Sequence, residues 1–290
     1  VPDAVFLPMG IPAGLTLAED GTLSGEIEVA GTYGFQVYAE EAGGRLAVVP
    51  VSITVAEHAN KRPVAEAVQP AAGAVTLPLG TNVIFAVTVS DANGDDLSYT
   101  WTLDGETLTD ETASTFAFSA TEEMRGAHTL RCDVSDGFWT VCAADWSVFV
   151  QTTFAVDAAN GSDDSDGLSD GAAKRTIQSA IDAAIDGDVI RVAPGVYEPI
   201  YTDDKRVTII GVGGSDVCVI DGGQTNRCAY FGGTTNTVLR GFTLRNGYVS
   251  DNGAGSYYGT LIDCVLTGNS TYRPQDYGYC GGGACYGVLI

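Results

Sequence analysis

Between Gly31 and Val55 apolar and polar residues alternate, so that Tyr33, Phe35, Val37 and Ala39 fall on one face. A period of two marks a half-buried strand. Residues 40–44 supply turn chemistry and Leu46 to Val55 brings the chain back, which predicts a hairpin-rich sandwich element. A short polar stretch, 57–63, interrupts the pattern. Strand-like runs then follow at Val83 to Val89, Leu97 to Leu103, Ser114 to Ala120, Thr129 to Val134 and Trp139 to Val150, spaced as a Greek-key sandwich requires. The period changes once: Ile177, Ala180, Ile181, Ala184 and Ile185 recur at i, i+3, i+4, i+7 and i+8. This predicts one amphipathic helix, capped by Thr176 and ended by Gly187.

From Val207 onward the chain consists of short β-branched runs separated by Gly, Asn and Asp. Superposing Leu239 on Leu261 also places Leu244 on Leu266, an offset of 22 residues. That repeat suits one coil of a parallel β-helix, whose rungs stack at about 4.8 Å. The expected fold is therefore all-β: two sandwiches followed by the start of a parallel β-helix, with one α-helix. The expected boundaries are 1–56, 57–151 and 152–290.

Composition narrows the partners. Fourteen Lys and Arg stand against 37 Asp and Glu, a net charge of -23 that repels a nucleic-acid backbone and suits divalent cations or a salty exterior. No apolar run is long enough to span a bilayer. Seven Cys form no C-x-x-C pair, so disulfides in an oxidising compartment are expected, and the protein is expected to be extracellular or at the cell surface. Cys132 and Cys142 lie equidistant from Gly137, which predicts a disulfide across a hairpin; Cys218 with Cys228 and Cys280 with Cys285 are further pairings.

Three resemblances sharpen this reading. Leu7-Pro8-Met9-Gly10-Ile11-Pro12-Ala13-Gly14-Leu15-Thr16-Leu17, Asp20-Gly21-Thr22-Leu23-Ser24-Gly25 and Ala30-Gly31-Thr32-Tyr33 resemble the immunoglobulin-like repeats of bacterial surface proteins. Ser90-Asp91-Ala92-Asn93-Gly94-Asp95-Asp96, the following Tyr99-Thr100-Trp101 and Val134-Ser135-Asp136-Gly137 resemble the polycystic-kidney-disease type of immunoglobulin-like domain. In that family calcium sits between the linker and two loops, which implies Asn60, Asp91, Asn93 and Asp136 as ligands and Trp101 as a core tryptophan. Asn160-Gly161-Ser162-Asp163, Thr176-Ile177-Gln178-Ser179-Ala180-Ile181, Gly187-Asp188-Val189-Ile190, Val192-Ala193-Pro194-Gly195-Val196-Tyr197 and Gly241-Phe242-Thr243-Leu244-Arg245-Asn246-Gly247 resemble the start of the pectate-lyase-like right-handed β-helix superfamily.

Together the resemblances imply two immunoglobulin-like β-sandwiches followed by the start of a right-handed parallel β-helix with one capping α-helix. Two functions of different class are then expected. One is a structural, glycan-binding or adhesive cell-surface protein, whose partners are a polysaccharide or matrix glycan, copies of itself, or the remainder of a longer polypeptide at two open ends. The other is the front of a polysaccharide lyase or glycoside hydrolase whose cleft lies on later rungs, so that no catalytic residue is expected within this chain. Asp203-Asp204 and Lys205-Arg206 read as a surface ion cluster. The acidic loop Asp157 to Asp166 reads as a solvated turn, since it lacks the spacing and closing Glu of an EF-hand loop.

Overall fold

The computed structural model describes residues 4–27, 29–40, 46–56, 60–272 and 281–290. The chain divides into two compact bodies, Val1–Arg62 and Pro63–Ile290. In the first, strand Gly31–Glu40 lies between Val5–Met9 and Leu46–Val55, antiparallel to both, and Leu15–Leu17 pairs with Leu23–Gly25. Among its described residues Phe35 is the one buried large apolar side chain, so this core is thin.

The second body begins as a sandwich. One sheet has the order Glu106–Thr107, Ser98–Leu103, Gly126–Ser135, Thr140–Gln151 and Gly73–Pro78; the other has the order Thr115–Ser119, Asn82–Ser90 and Val64–Gln69. Alternating apolar residues of both sheets meet in a core built on Phe85, Trp101, Phe118 and Trp146. The indoles of Trp101 and Trp146 stack at 5.9 Å, and Phe85 meets Trp146 edge-on at 5.1 Å. Each buried indole N–H is satisfied, Trp101 donating to Ala113 O and Trp146 to Pro70 O. Trp101 is thus a core residue, fully buried as expected.

The expected disulfide between Cys132 and Cys142 does not form, and both are free thiols. The hairpin turns over residues 136–139, with Ser135 opposite Thr140, so it is not centred on Gly137; Cys142 lies opposite Asp133, and a β-bulge beyond that pair sets Cys132 against Ala144. Neighbours along a strand point to opposite faces, and Asp133 is the neighbour of Cys132. Cys132 therefore points into the core, where burial pushes its thiol up to about 12, while Cys142 is exposed. Cys218 and Cys228 are likewise free and buried. Their thiols donate to separate carbonyls, Val212 O and Arg245 O. The Cys280–Cys285 pairing falls on Cys280, outside the described residues.

After Thr152 the pairing becomes parallel. From Thr153–Val156 and Val189–Val192 onward the chain visits three parallel sheets in rotation. Val189–Val192 is followed by Gly195–Tyr197 and Ile200–Tyr201; Thr208–Gly211 is followed by Cys218–Asp221 and Ala229–Tyr230. Each circuit sets an apolar residue on the one before. Phe154, Ile190, Ile209, Leu239 and Leu261 align in one sheet, and Tyr197, Ile220, Leu244 and Leu266 align in the next. The register matches the superposition of Leu239 on Leu261 and of Leu244 on Leu266 that the sequence suggests.

Helix Ile177–Ala183 covers the first circuit with Ile177, Ala180 and Ile181 buried, and Thr176 Oγ1 caps it by accepting from Ser179 N at 3.1 Å. It ends at Ala184, ahead of Gly187. Lys205 Nζ takes the terminal carbonyls of Ile181 and Asp182 at 2.7 and 2.9 Å. Gly187 is needed for another reason, since a Cβ there would lie 2.4 Å from the Phe149 ring.

Candidate functional site

Two regions gather chemistry. The first lies at one end of the sandwich. The segment after strand Asn82–Ser90 folds on Asp91, whose Oδ1 accepts from the backbone N of Asn93 and Asp95 at 2.8 and 3.2 Å. The hairpin after Gly126–Ser135 folds on Asp136, whose Oδ1 accepts from Phe138 N and Trp139 N at 2.8 and 2.6 Å. These turns bring carboxylate oxygens of Asp91, Asp95 and Asp136 within 4.8 Å of one another. Three negative charges at that spacing repel by about 1 kcal/mol per pair even in water, and a divalent cation between them reverses the sign. Asp91 Oδ2 is buried and meets no hydrogen-bond donor.

Hard oxygen donors from two loops suit calcium, for which these residues supply three of the six to eight oxygens required. Of the four ligands expected from sequence, Asp91 and Asp136 come together here. Asn93 serves through its backbone in the Asp91 turn, and Asn60 belongs to the other body. Asp95 was missed, although its place two residues beyond Asn93 offered the signal. The acidic loop 157–166 is organised differently. Lys174 Nζ donates to the Asp163 and Ser165 carbonyls at 3.3 and 2.9 Å, so an ammonium already occupies that cradle. Nor do Asp203, Asp204, Lys205 and Arg206 form one ion cluster. Lys205 binds helix carbonyls, Asp204 accepts from Gly233 N, and Arg206 lies 3.7 Å from Asp186.

The second region is a stripe of tyrosines on the third parallel sheet. Register places Tyr201, Tyr230 and Tyr257 side by side on its outer face, because Ile200, Ala229 and Ser256 point inward. Ring centroids are 6.3 Å apart for Tyr201 and Tyr230, and 5.7 Å apart for Tyr230 and Tyr257, whose planes differ by 1°. Arg227 reaches over both of the latter rings, 5.5 and 5.0 Å from their centroids. Its guanidinium is fixed by Asp251 Oδ1 at 2.6 Å and by the carbonyls of Asn252 and Gly253.

Tyr258 and Tyr286 extend the stripe, stacked at 5.4 Å. Both adopt positive φ, 61° and 57°, at equivalent places in successive circuits. For a bulky residue this is a strained backbone, costing about 1–3 kcal/mol. Burial, then the neighbouring phenols Tyr258 and Tyr286, push the Tyr257 hydroxyl up from its ordinary value. At the Tyr201 end the stripe opens onto a cleft of about 440 Å³ lined by Arg175, Gln178, Tyr197, Glu198 and Tyr201.

No helix among the described residues is long and apolar enough to cross a membrane. No protein-family model matches the chain, and no curated protein matches it. Among solved structures it is similar to the fibronectin(III)-like modules of Clostridium thermocellum CbhA, at 14% identity over 51% of this chain and 85% of that one, with a TM-score of 0.27. It is also similar to the N-terminal Ig1-2 module of the Drosophila receptor protein tyrosine phosphatase DLAR (12% identity, 51% and 83% covered, TM-score 0.24). A third similarity is to domains 4 and 5 of the S-layer protein SbsC (19% identity, 51% and 71% covered, TM-score 0.24). Likeness at this level assigns the chain neither a family nor a function.

Proposed function

We propose that this chain is part of an extracellular, cell-surface protein of the structural and adhesive kind. In this reading the parallel coil is a right-handed β-helix, and the sandwich before it is a polycystic-kidney-disease-like spacer that holds calcium at Asp91, Asp95 and Asp136. The coil presents its tyrosine stripe to a matrix or cell-surface glycan. Phenols suit such a ligand because each offers an apolar flank to sugar C–H groups and a polar tip to sugar hydroxyls. The carrying observation is the repeated strain: Tyr258 and Tyr286 hold positive φ at matching positions, a cost that lengthens the aromatic surface.

The test is retention of the full chain on an array of neutral and uronate oligosaccharides. The unaltered chain should bind a subset of them. The double substitution Tyr230→Ala, Tyr257→Ala should lose at least tenfold in affinity, whereas Tyr248→Ala, an exposed tyrosine outside the stripe, should bind as before. Retention on no glycan, or equal retention of the double variant, refutes the reading.

A further inference from the structure

The sandwich and the coil meet at Asp188, a carboxylate with no exposure whose bonds run in three directions. Its Oδ1 accepts from Thr152 N at 2.8 Å, at the single residue between the last sandwich strand, Thr140–Gln151, and the first coil strand, Thr153–Val156. Its Oδ2 accepts from Ile185 N at 2.9 Å, just past the cap helix, and from Arg125 Nη2 at 2.6 Å. Arg125 belongs to the sandwich, where Glu122 Oε1 holds its other terminal nitrogen at 2.9 Å, and its guanidinium lies 5.5 Å from the Phe154 ring centroid, over the first coil strand. The backbone extends the pattern. Val189 N donates to Thr152 O, and Thr208 N donates to Asp188 O, each at 3.0 Å. One residue thereby aligns the starts of the first three strands of this sheet.

Parallel strands have no hairpin to fix their register, and each crossover must be closed before its contacts form. A slip of one residue at Val189–Val192 would turn Ile190 and Val192 outward and bring Arg191 in. We infer that the folded sandwich sets the register of the coil, with Arg125 as the positioning residue that seats Asp188. The sandwich is then a template on which the parallel stack is built. Gln151 Nε2 bonded to Gly187 O at 2.8 Å, and the Phe149 ring packed on Gly187, belong to the same junction.

The three tryptophans, Trp101, Trp139 and Trp146, all lie in the sandwich, so the two parts can be followed separately in one full-length chain. Urea unfolding would be read by tryptophan fluorescence for the sandwich and by pulsed hydrogen exchange of peptides within 189–262 for the coil. In the unaltered chain the two midpoints should coincide. Arg125→Ala should lower the coil midpoint by about 1 M while the tryptophan midpoint moves far less. Arg125→Lys should restore part of the loss, and Glu122→Ala should leave the coil midpoint nearly in place. Separate midpoints in the unaltered chain overturn the inference. So does an Arg125→Ala chain in which both midpoints move together or neither moves.

Discussion

The sandwich and the coil bury apolar side chains in different ways. In the sandwich, residues from distant strands converge on one cluster, and two indoles and two phenyl rings occupy its centre. In the coil each residue stacks on its counterpart one circuit away, as Ile209 does on Ile190 and Leu261 on Leu239. The first arrangement is cooperative throughout. The second resembles a one-dimensional array whose stability is a sum of neighbour terms, and such an array needs a fixed starting rung.

The largest expected effect breaks the convergent core. Trp146→Ala should destabilise the sandwich by about 3–5 kcal/mol. If the sandwich is the coil's template, calorimetry should show the coil transition falling with it. A smaller effect sharpens the contrast: Leu239→Ala should cost about 2–4 kcal/mol, yet native-state hydrogen exchange should quicken mainly in the adjoining strands Thr208–Gly211 and Thr260–Ile262. Uniform loss of protection across the sandwich as well would contradict nearest-neighbour stacking.

Calcium should bind at the sandwich end, at Asp91, Asp95 and Asp136. At a hundredfold excess over its dissociation constant, calcium should raise the melting temperature by roughly 5–10 °C, and chelator should remove that gain. Asp95→Asn should abolish the response, and an unchanged melting curve for the unaltered chain would sink the assignment.

The smallest effect is acid sensitivity, shared by both regions. In the sandwich, the His128 ring and then Thr129 N hold Asp104 below the usual carboxylate value of 3.8. In the coil, Gly223 N, then Arg245 and Asn246, do the same for Asp221. Folded values below unfolded ones mean that this stability is complete above about pH 4 to 5 and drains away as pH falls through the lower folded values. Thermal scans should be flat in this respect from pH 5 to 7 and decline below 3.8, with Asp221→Asn blunting the decline.

Much of the fold is readable from period alone. The alternation in the sandwich strands, the helical spacing from Ile177 and the repeat linking Leu239 to Leu261 each report which face is buried. The centre of the Cys132 hairpin is not legible in the sequence: Gly137 suggests a symmetric turn, but the turn runs over 136–139, and that offset of one residue sets Cys142 opposite Asp133 and separates the two thiols. The Asp91 turn was legible as an acidic loop. Its partner Asp95 depends on how that loop closes on the Asp136 hairpin. The tyrosine stripe escaped notice because loops of unequal length separate Tyr201 from Tyr230 and Tyr230 from Tyr257, hiding a register that the sheet restores. Arg125 and Asp188 meet across 63 residues, a contact that no local pattern encodes.

The most direct test of the proposed function is fluorine NMR of the full chain labelled with 3-fluorotyrosine, titrated with the oligosaccharides retained on the array. Signals of Tyr201, Tyr230 and Tyr257 should shift and saturate together while those of Tyr33 and Tyr38, in the first body, and of Tyr99, in the sandwich, stay in place. Shifts confined to the tyrosines outside the coil, or none at saturating sugar, would contradict a glycan contact on the coil.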